Sequence, residues 1–183
     1  RMKTAAGVTP RISGLLGVPK VIEGAKASAR TARGTRHPVK YEVIEAGDAV
    51  TSHDELLRPN PRFPADLQPR ERTRQASEAQ VSKIASELDP ELLGKSPEAG
   101  LGAPIIGPDN AIESGNARTI ALKRLYGARH ENAERYRGWL KEHAQEFGIK
   151  PEDVDKMRQP VLVRRRLSKL DEAGRRQFVV EAN

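Results

Sequence analysis

Residues 111–126 hold the tightest local constraint in this chain. Ala111-Ile112-Glu113 is short and apolar enough for a strand, and it runs through Ser114-Gly115-Asn116 into a helical stretch over about 117–126, where Ile120, Ala121, Leu122 and Leu125 are apolar. An extended segment that enters a helix through one glycine brings its backbone close to whatever sits at the turn. The first-turn N–H groups and the positive end of the helix dipole then point at that place, which suits an anion. Arg118, near the second helical position, adds a planar, permanently charged fork for phosphate oxygens. Asn116 and Thr119 supply further donors, and Glu113 is the carboxylate placed to reach a divalent ion on such a phosphate. A plainer reading makes Gly115 a shape requirement of the turn and pairs Arg118 with a surface acid. Pattern alone leaves both open, because one glycine turn is far less specific than a Walker sequence.

The elements around this unit read as a mixed α/β domain. Val39-Lys40-Tyr41-Glu42-Val43-Ile44-Glu45 alternates apolar and polar, as a half-buried strand does. Pro59, Pro61, Pro64 and Pro69 keep 47–72 irregular, with Asn60-Pro61-Arg62 shaping the loop. Ser77-Glu78-Ala79-Gln80 has the form of a capping box, and Val81, Ile84, Ala85 and Leu88 follow at helical spacing. Ala103-Pro104-Ile105-Ile106 reads as a strand and Gly107-Pro108-Asp109-Asn110 as the turn that returns it. A long helix is expected over about 131–147 with Gly148 as its stop, a short one from Pro151 to Met157, and a strand over 160–164. Ser168 with Asp171 caps a last helix. Arg164-Arg165-Arg166 reads mainly as a solvated edge, and Trp139 as helix packing beside Tyr136 and Leu140.

Charge is unevenly spread. Residues 1–40 carry nine Lys/Arg against Glu23, whereas 41–183 are near neutral, with 23 bases against 24 acids, so the net +7 belongs to the N-terminal part. Residues 1–38 are accordingly expected to be a basic, poorly structured arm or linker, either tracking phosphates or simply solvated. Order is expected to begin near Val39 and to give one domain over 39–183. Cysteine is absent, which excludes disulfides and thiolate metal sites. The four histidines lack ligand spacing. No apolar run approaches the roughly 18 residues of a membrane span. The opening at Arg1 suggests a piece of a longer protein.

Gly102-Ala103-Pro104-Ile105-Ile106, a hairpin, and Gly115-Asn116-Ala117-Arg118-Thr119 resemble the ParB/sulfiredoxin-like superfamily, in which a G-x-P-I-x-V strand leads through a turn to G-x-x-R at a helix start. More closely, Tyr41-Glu42-Val43-Ile44-Glu45-Ala46, Asn60-Pro61-Arg62-Phe63-Pro64, Leu67-Gln68-Pro69-Arg70-Glu71-Arg72, Ser77-Glu78-Ala79-Gln80 and Glu113-Ser114-Gly115-Asn116 resemble DdrB-like ParB domains of large phage and conjugative-element proteins. The resemblance covers about residues 39–183. It implies an α/β (α+β) fold with a small mixed sheet flanked by helices, and a turn that binds nucleotide phosphates, as in ParB proteins and in ATP-binding sulfiredoxin. It also places Gln68, Arg70, Arg72 and Arg74 beside that turn, either to meet phosphates or a nucleic-acid backbone or as a solvated loop partly ion-paired with Glu71. Two departures matter. Without cysteine, sulfinic-acid reduction is out, and Ala117 stands where many relatives have glycine, with no run of arginines after Gly115.

These readings lead to an expected nucleotide- or nucleic-acid-binding domain of a mobile-element protein, acting on DNA or a nucleoside triphosphate at Ser114, Gly115, Asn116, Ala117, Arg118 and Thr119. Arg70, Arg72 and Gln68 would assist. If catalytic, it would be a metal-dependent nuclease or nucleoside triphosphatase. Glu113 would then hold Mg²⁺ or another divalent cation, and Arg118 would stabilise charge on phosphate oxygens. The alternatives are a non-catalytic DNA-binding or protein-docking module and, more weakly, a phosphotransferase. Expected partners are DNA or nucleotide and other domains of a longer chain, in the cytoplasm of a bacterial cell and away from membranes.

Overall fold

The structure, a computed structural model, describes residues 20–68 and 74–183, with backbone alone at 74–76. Five strands form one mixed sheet: β1 (Val21–Arg30), β2 (Arg36–Glu45), β3 (Ile105–Ile106), β4 (Ile112–Ser114) and β5 (Pro160–Arg166). Their order is β1-β2-β5-β3-β4. β5 pairs antiparallel with β2 and parallel with β3, while β1–β2 and β3–β4 are antiparallel. The helices are α1 (Arg74–Ser86), α2 (Asn116–Gly127), α3 (Glu131–His143), α4 (Pro151–Asp155) and α5 (Glu172–Glu181). This is the expected α/β class, with three corrections.

First, order begins well before Val39. Residues 21–30 form a ten-residue strand paired with β2, so much of the expected basic arm is a β-hairpin. Its charges are partly spent on local acids: Arg30 pairs with Glu98 and Lys40 with Glu23. The strand lacks a strong period-2 signal because only Ile22 and Ala29 are buried in it. Small residues prevail for a steric reason, since a Cβ on Gly24 would collide with the Phe147 carbonyl oxygen. Arg1, Lys3 and Arg11 lie outside the described residues.

Second, α1 starts at Arg74, so Ser77 sits inside the helix rather than at its cap. Third, Arg164-Arg165-Arg166 is no solvated edge. Its strand is central in the sheet, and Arg164 is 0% exposed. Alternation does separate the three. Arg165 donates to Glu42 at 2.9 Å, Arg166 goes to Glu113, and Arg164 goes to backbone carbonyls of the loop before β3.

The main core joins the sheet to α2, α3 and α4 through Val43, Ile106, Ile112, Leu122, Tyr136, Leu140, Phe147 and Leu162. Burying each large apolar side chain contributes roughly 1.5–3 kcal/mol. The buried tyrosines also register helix on strand: Tyr126 Oη donates to the Pro160 carbonyl at 2.7 Å, and the Leu162 N–H donates to Tyr136 Oη at 2.8 Å. A second cluster of Ala29, Val39, Ala99, Ile105, Phe178 and Ala182 joins the sheet to α5. Trp139 packs near Tyr136 and Phe147, as expected. The stop at Gly148 also appears, at φ +70° after a 3-10 turn over Ala144–Phe147. Asp171 caps α5 through the Gly174 N–H, whereas Ser168 Oγ instead bonds the His37 ring.

Candidate functional site

Gly115 links β4 to α2 at φ +96°, in the left-handed region that favours glycine. Space imposes the same choice, because a Cβ there would lie 2.7 Å from Arg118 Nη2 and 3.1 Å from Pro104 Cβ. Among the described residues no side chain caps this helix start. Its first N–H groups therefore have no intrahelical acceptor and no capping one, which is how a backbone anion site is made.

The side chains of the turn divide sharply. Thr119 Oγ1 donates back to the Gly115 carbonyl at 2.9 Å and is fully buried. The Ser114 hydroxyl is shared between the carbonyl oxygens of Ala99 (3.0 Å) and Ala182 (2.7 Å). Asn116 Oδ1 accepts the Ser52 N–H at 2.7 Å. Three of the expected ligand donors are thus used to hold the turn itself. Ala117 offers backbone only.

Arg118 is different. Its Nη1 donates to the Gly100 carbonyl at 3.1 Å, but Nε and Nη2 are buried without a hydrogen-bond partner among the described residues. Burial pushes this guanidinium below its usual pKa, and no carboxylate among the described residues pairs with it. The surface-acid reading of Arg118 therefore falls. Buried, unsatisfied donors are rare and call for an acceptor.

Glu113 also departs from expectation. Its side chain is fully buried, and its two oxygens accept from Arg166 (2.7 and 2.9 Å) and Arg175 (2.7 Å). Arg175 continues to Asp109 at 2.7 Å. Three hydrogen bonds from two guanidiniums thus occupy most of the acceptor capacity of this fully buried carboxylate. The donor set does not fit a divalent ion held by Glu113. Among the described residues no group of three or more His, Asp or Glu side chains could hold a metal ion.

The turn opens into a cleft of about 1480 Å³. Gly115, Asn116, Ala117 and Arg118 line one part of it, with Gly100, Leu101 and Gly102 on an adjoining loop. Gln68 lines it too, and its Nε2 donates to the Ser52 carbonyl at 2.9 Å, so this residue straps the loop to the turn. Asn60 Nδ2 donates to the Thr51 carbonyl and Oδ1 accepts the Arg62 N–H, the loop-shaping role expected. From α2, Lys123 Nζ donates to the Ala49 carbonyl at 2.6 Å, and Arg124 joins the Glu55 carbonyl to Glu78 of α1. Arg70 and Arg72 lie outside the described residues, as does the Arg74 side chain.

Sequence reasoning misses the rest of the cleft. Arg33, Lys83 and Lys95 line it without an ion-pair partner among the described residues, beside Leu92, Leu101 and Val180, which are 68%, 61% and 76% exposed. Nothing local flags them, since they come from a hairpin turn, α1, a loop and α5.

The chain matches the family model of the ddrB-like ParB superfamily domain over residues 32–167. No curated protein and no solved structure matches. Among the described residues no helix is long and apolar enough to cross a membrane.

Proposed function

The chain belongs to the ddrB-like ParB superfamily, and from that premise we propose that it is a nucleotide-binding module whose cleft holds phosphate between the Gly115 turn and Arg118. Family membership supports a module of the nucleic-acid-binding type; the phosphate pocket is the finer reading. The orphaned Nε and Nη2 of Arg118 carry it. A phosphate oxygen there would satisfy both donors, meet the free first-turn N–H groups, and offset the burial of the charge. Exposed Leu92, Leu101 and Val180 provide apolar surface for a base. Arg70 and Arg72 belong to this reading through their place in sequence, between Gln68 and α1.

The test is a thermal-shift and calorimetric series with the four nucleoside triphosphates and Mg²⁺. At least one is expected to raise the melting temperature, and Arg118→Ala should weaken its affinity roughly tenfold or more, the worth of a charged hydrogen bond. Absence of a shift with all four would overturn nucleotide binding.

A second reading is a nucleic-acid strand laid along the cleft. It is favoured by the cleft volume, above the roughly 300–1,000 Å³ of small-ligand pockets; Arg33, Lys83 and Lys95 would meet its phosphates locally, in a cleft also lined by Asp66, Glu87, Asp89, Glu91 and Glu181. That reading requires retardation of a single-stranded oligonucleotide which weakens steeply with salt and is lost in an R33A/K83A/K95A variant. Binding, in either reading, needs no carboxylate; nuclease or triphosphatase chemistry through Glu113 is not supported by the geometry.

A further inference from the structure

The loop over 96–103, which forms the cleft wall facing Arg118, is built around a buried cation. All five N–H groups of Arg164 are directed at carbonyl oxygens of that loop. Nε donates to Ala103 at 2.8 Å, Nη1 to Ser96 (3.1 Å) and Glu98 (3.0 Å), and Nη2 to Ala99 (3.3 Å) and Leu101. Among the described residues no carboxylate pairs with it, and the side chain is 0% exposed. Burying a guanidinium without a counter-charge is costly, and only a full set of dipoles makes it tolerable. Gly100, between Ala99 and Leu101, turns the other way, and its carbonyl accepts Arg118 Nη1. One short peptide segment is thus gripped by two guanidiniums, one from the interior and one from the cleft.

Resting on the phosphate-pocket reading above, we infer that Arg164 is a positioning residue: by turning the carbonyls of 96–103 inward it sets the Gly100 carbonyl that aims Arg118, and so governs phosphate affinity without touching the ligand. The geometry explains why a cation, rather than an apolar residue, occupies the middle of a central strand. It also explains why Arg118 has one nitrogen held and two left over. Held at Nη1, the fork has a fixed direction beside the Gly115 turn, with Nε and Nη2 left without a partner among the described residues. Preorganising a donor in this way raises affinity by removing the cost of ordering it on binding.

The experiment uses Arg164→Lys, which keeps the charge but has three donors for five carbonyls, with Phe63→Leu as a comparison variant destabilised in a core cluster that holds no residue of this loop. Three readings are taken: triphosphate affinity, the Arg118 Nε–Hε resonance, and hydrogen exchange at the amides of Ala99, Leu101 and Ala103, which are hydrogen-bonded in the structure. Arg164→Lys is expected to lower affinity at least fivefold, move the Arg118 resonance, and speed exchange in this loop while leaving Leu162 and Val163 protected. Phe63→Leu should do none of these. Wild-type affinity in Arg164→Lys overturns the inference. Should wild type bind no triphosphate, the phosphate-pocket reading fails, and the inference then stands or falls on the Arg118 resonance: an unmoved signal overturns it.

Discussion

Gly115 and Arg118 are the residues on which the site turns, and both stand out in the amino-acid sequence. A lone glycine between a short strand and a helix with an arginine three positions on is a local pattern, and local patterns report backbone conformation well. Gly115→Ala is expected to cost about 1–3 kcal/mol, because it imposes a side chain at φ +96° and pushes it against Arg118 and Pro104. Chemical denaturation would read this as a lower midpoint with an unchanged slope. What no sequence pattern shows is that Thr119, Ser114 and Asn116 spend their polar atoms on backbone groups of the turn and of the segments packed against it. Each is a plausible phosphate donor by chemistry. Only the third dimension decides which way each faces.

Among the elements, β4, β5 and α5 are fastened by a network that runs from buried Glu113 and Arg166 through Arg175 to half-exposed Asp109. Removing one partner of a buried pair strands the other, so Glu113→Gln should destabilise by about 3–5 kcal/mol. Urea unfolding measures this. A role for Glu113 in catalysis alone would leave the midpoint unmoved. The outer end of the network responds to acid. Hydrogen bonding from Arg175 holds the Asp109 carboxyl below its usual value of 3.8. A depressed folded pKa means that the stabilisation is complete above the unfolded value and is lost as pH falls below about 3.8 toward the folded one. Asp109→Asn should therefore flatten the acid limb of a stability–pH profile below that point and leave its shape near neutrality unchanged. Nothing in the residues flanking Glu113 announces these partners, which lie 53 and 62 positions away.

At the scale of the whole molecule, the first strand alters how the chain should be cut. Removing residues 1–38 would take all of β1 and the start of β2, leaving Val39 and Ile44 without their β1 partners. That truncation is expected to abolish cooperative thermal unfolding, followed by circular dichroism, so it cannot isolate a role for the basic N-terminal residues. Apolar–polar alternation over 39–45 locates β2 and 3.6-residue spacing locates the longer helices, although Tyr41, Glu42, Val43 and Ile44 are all buried, so β2 is covered on both faces rather than half-buried. The same reasoning fails for β1, whose small residues answer to the crowding of Phe147 and Ile149, and for Arg164-Arg165-Arg166, whose burial follows from a central place in the sheet. The α/β class, most of the elements and the glycine–arginine turn are thus written in neighbouring residues and can be read there. The locking of Glu113 into an ion network, the caging of Arg164 by carbonyls and the free donors of Arg118 are settled elsewhere. They depend on strand order and long-range packing, which no local pattern encodes.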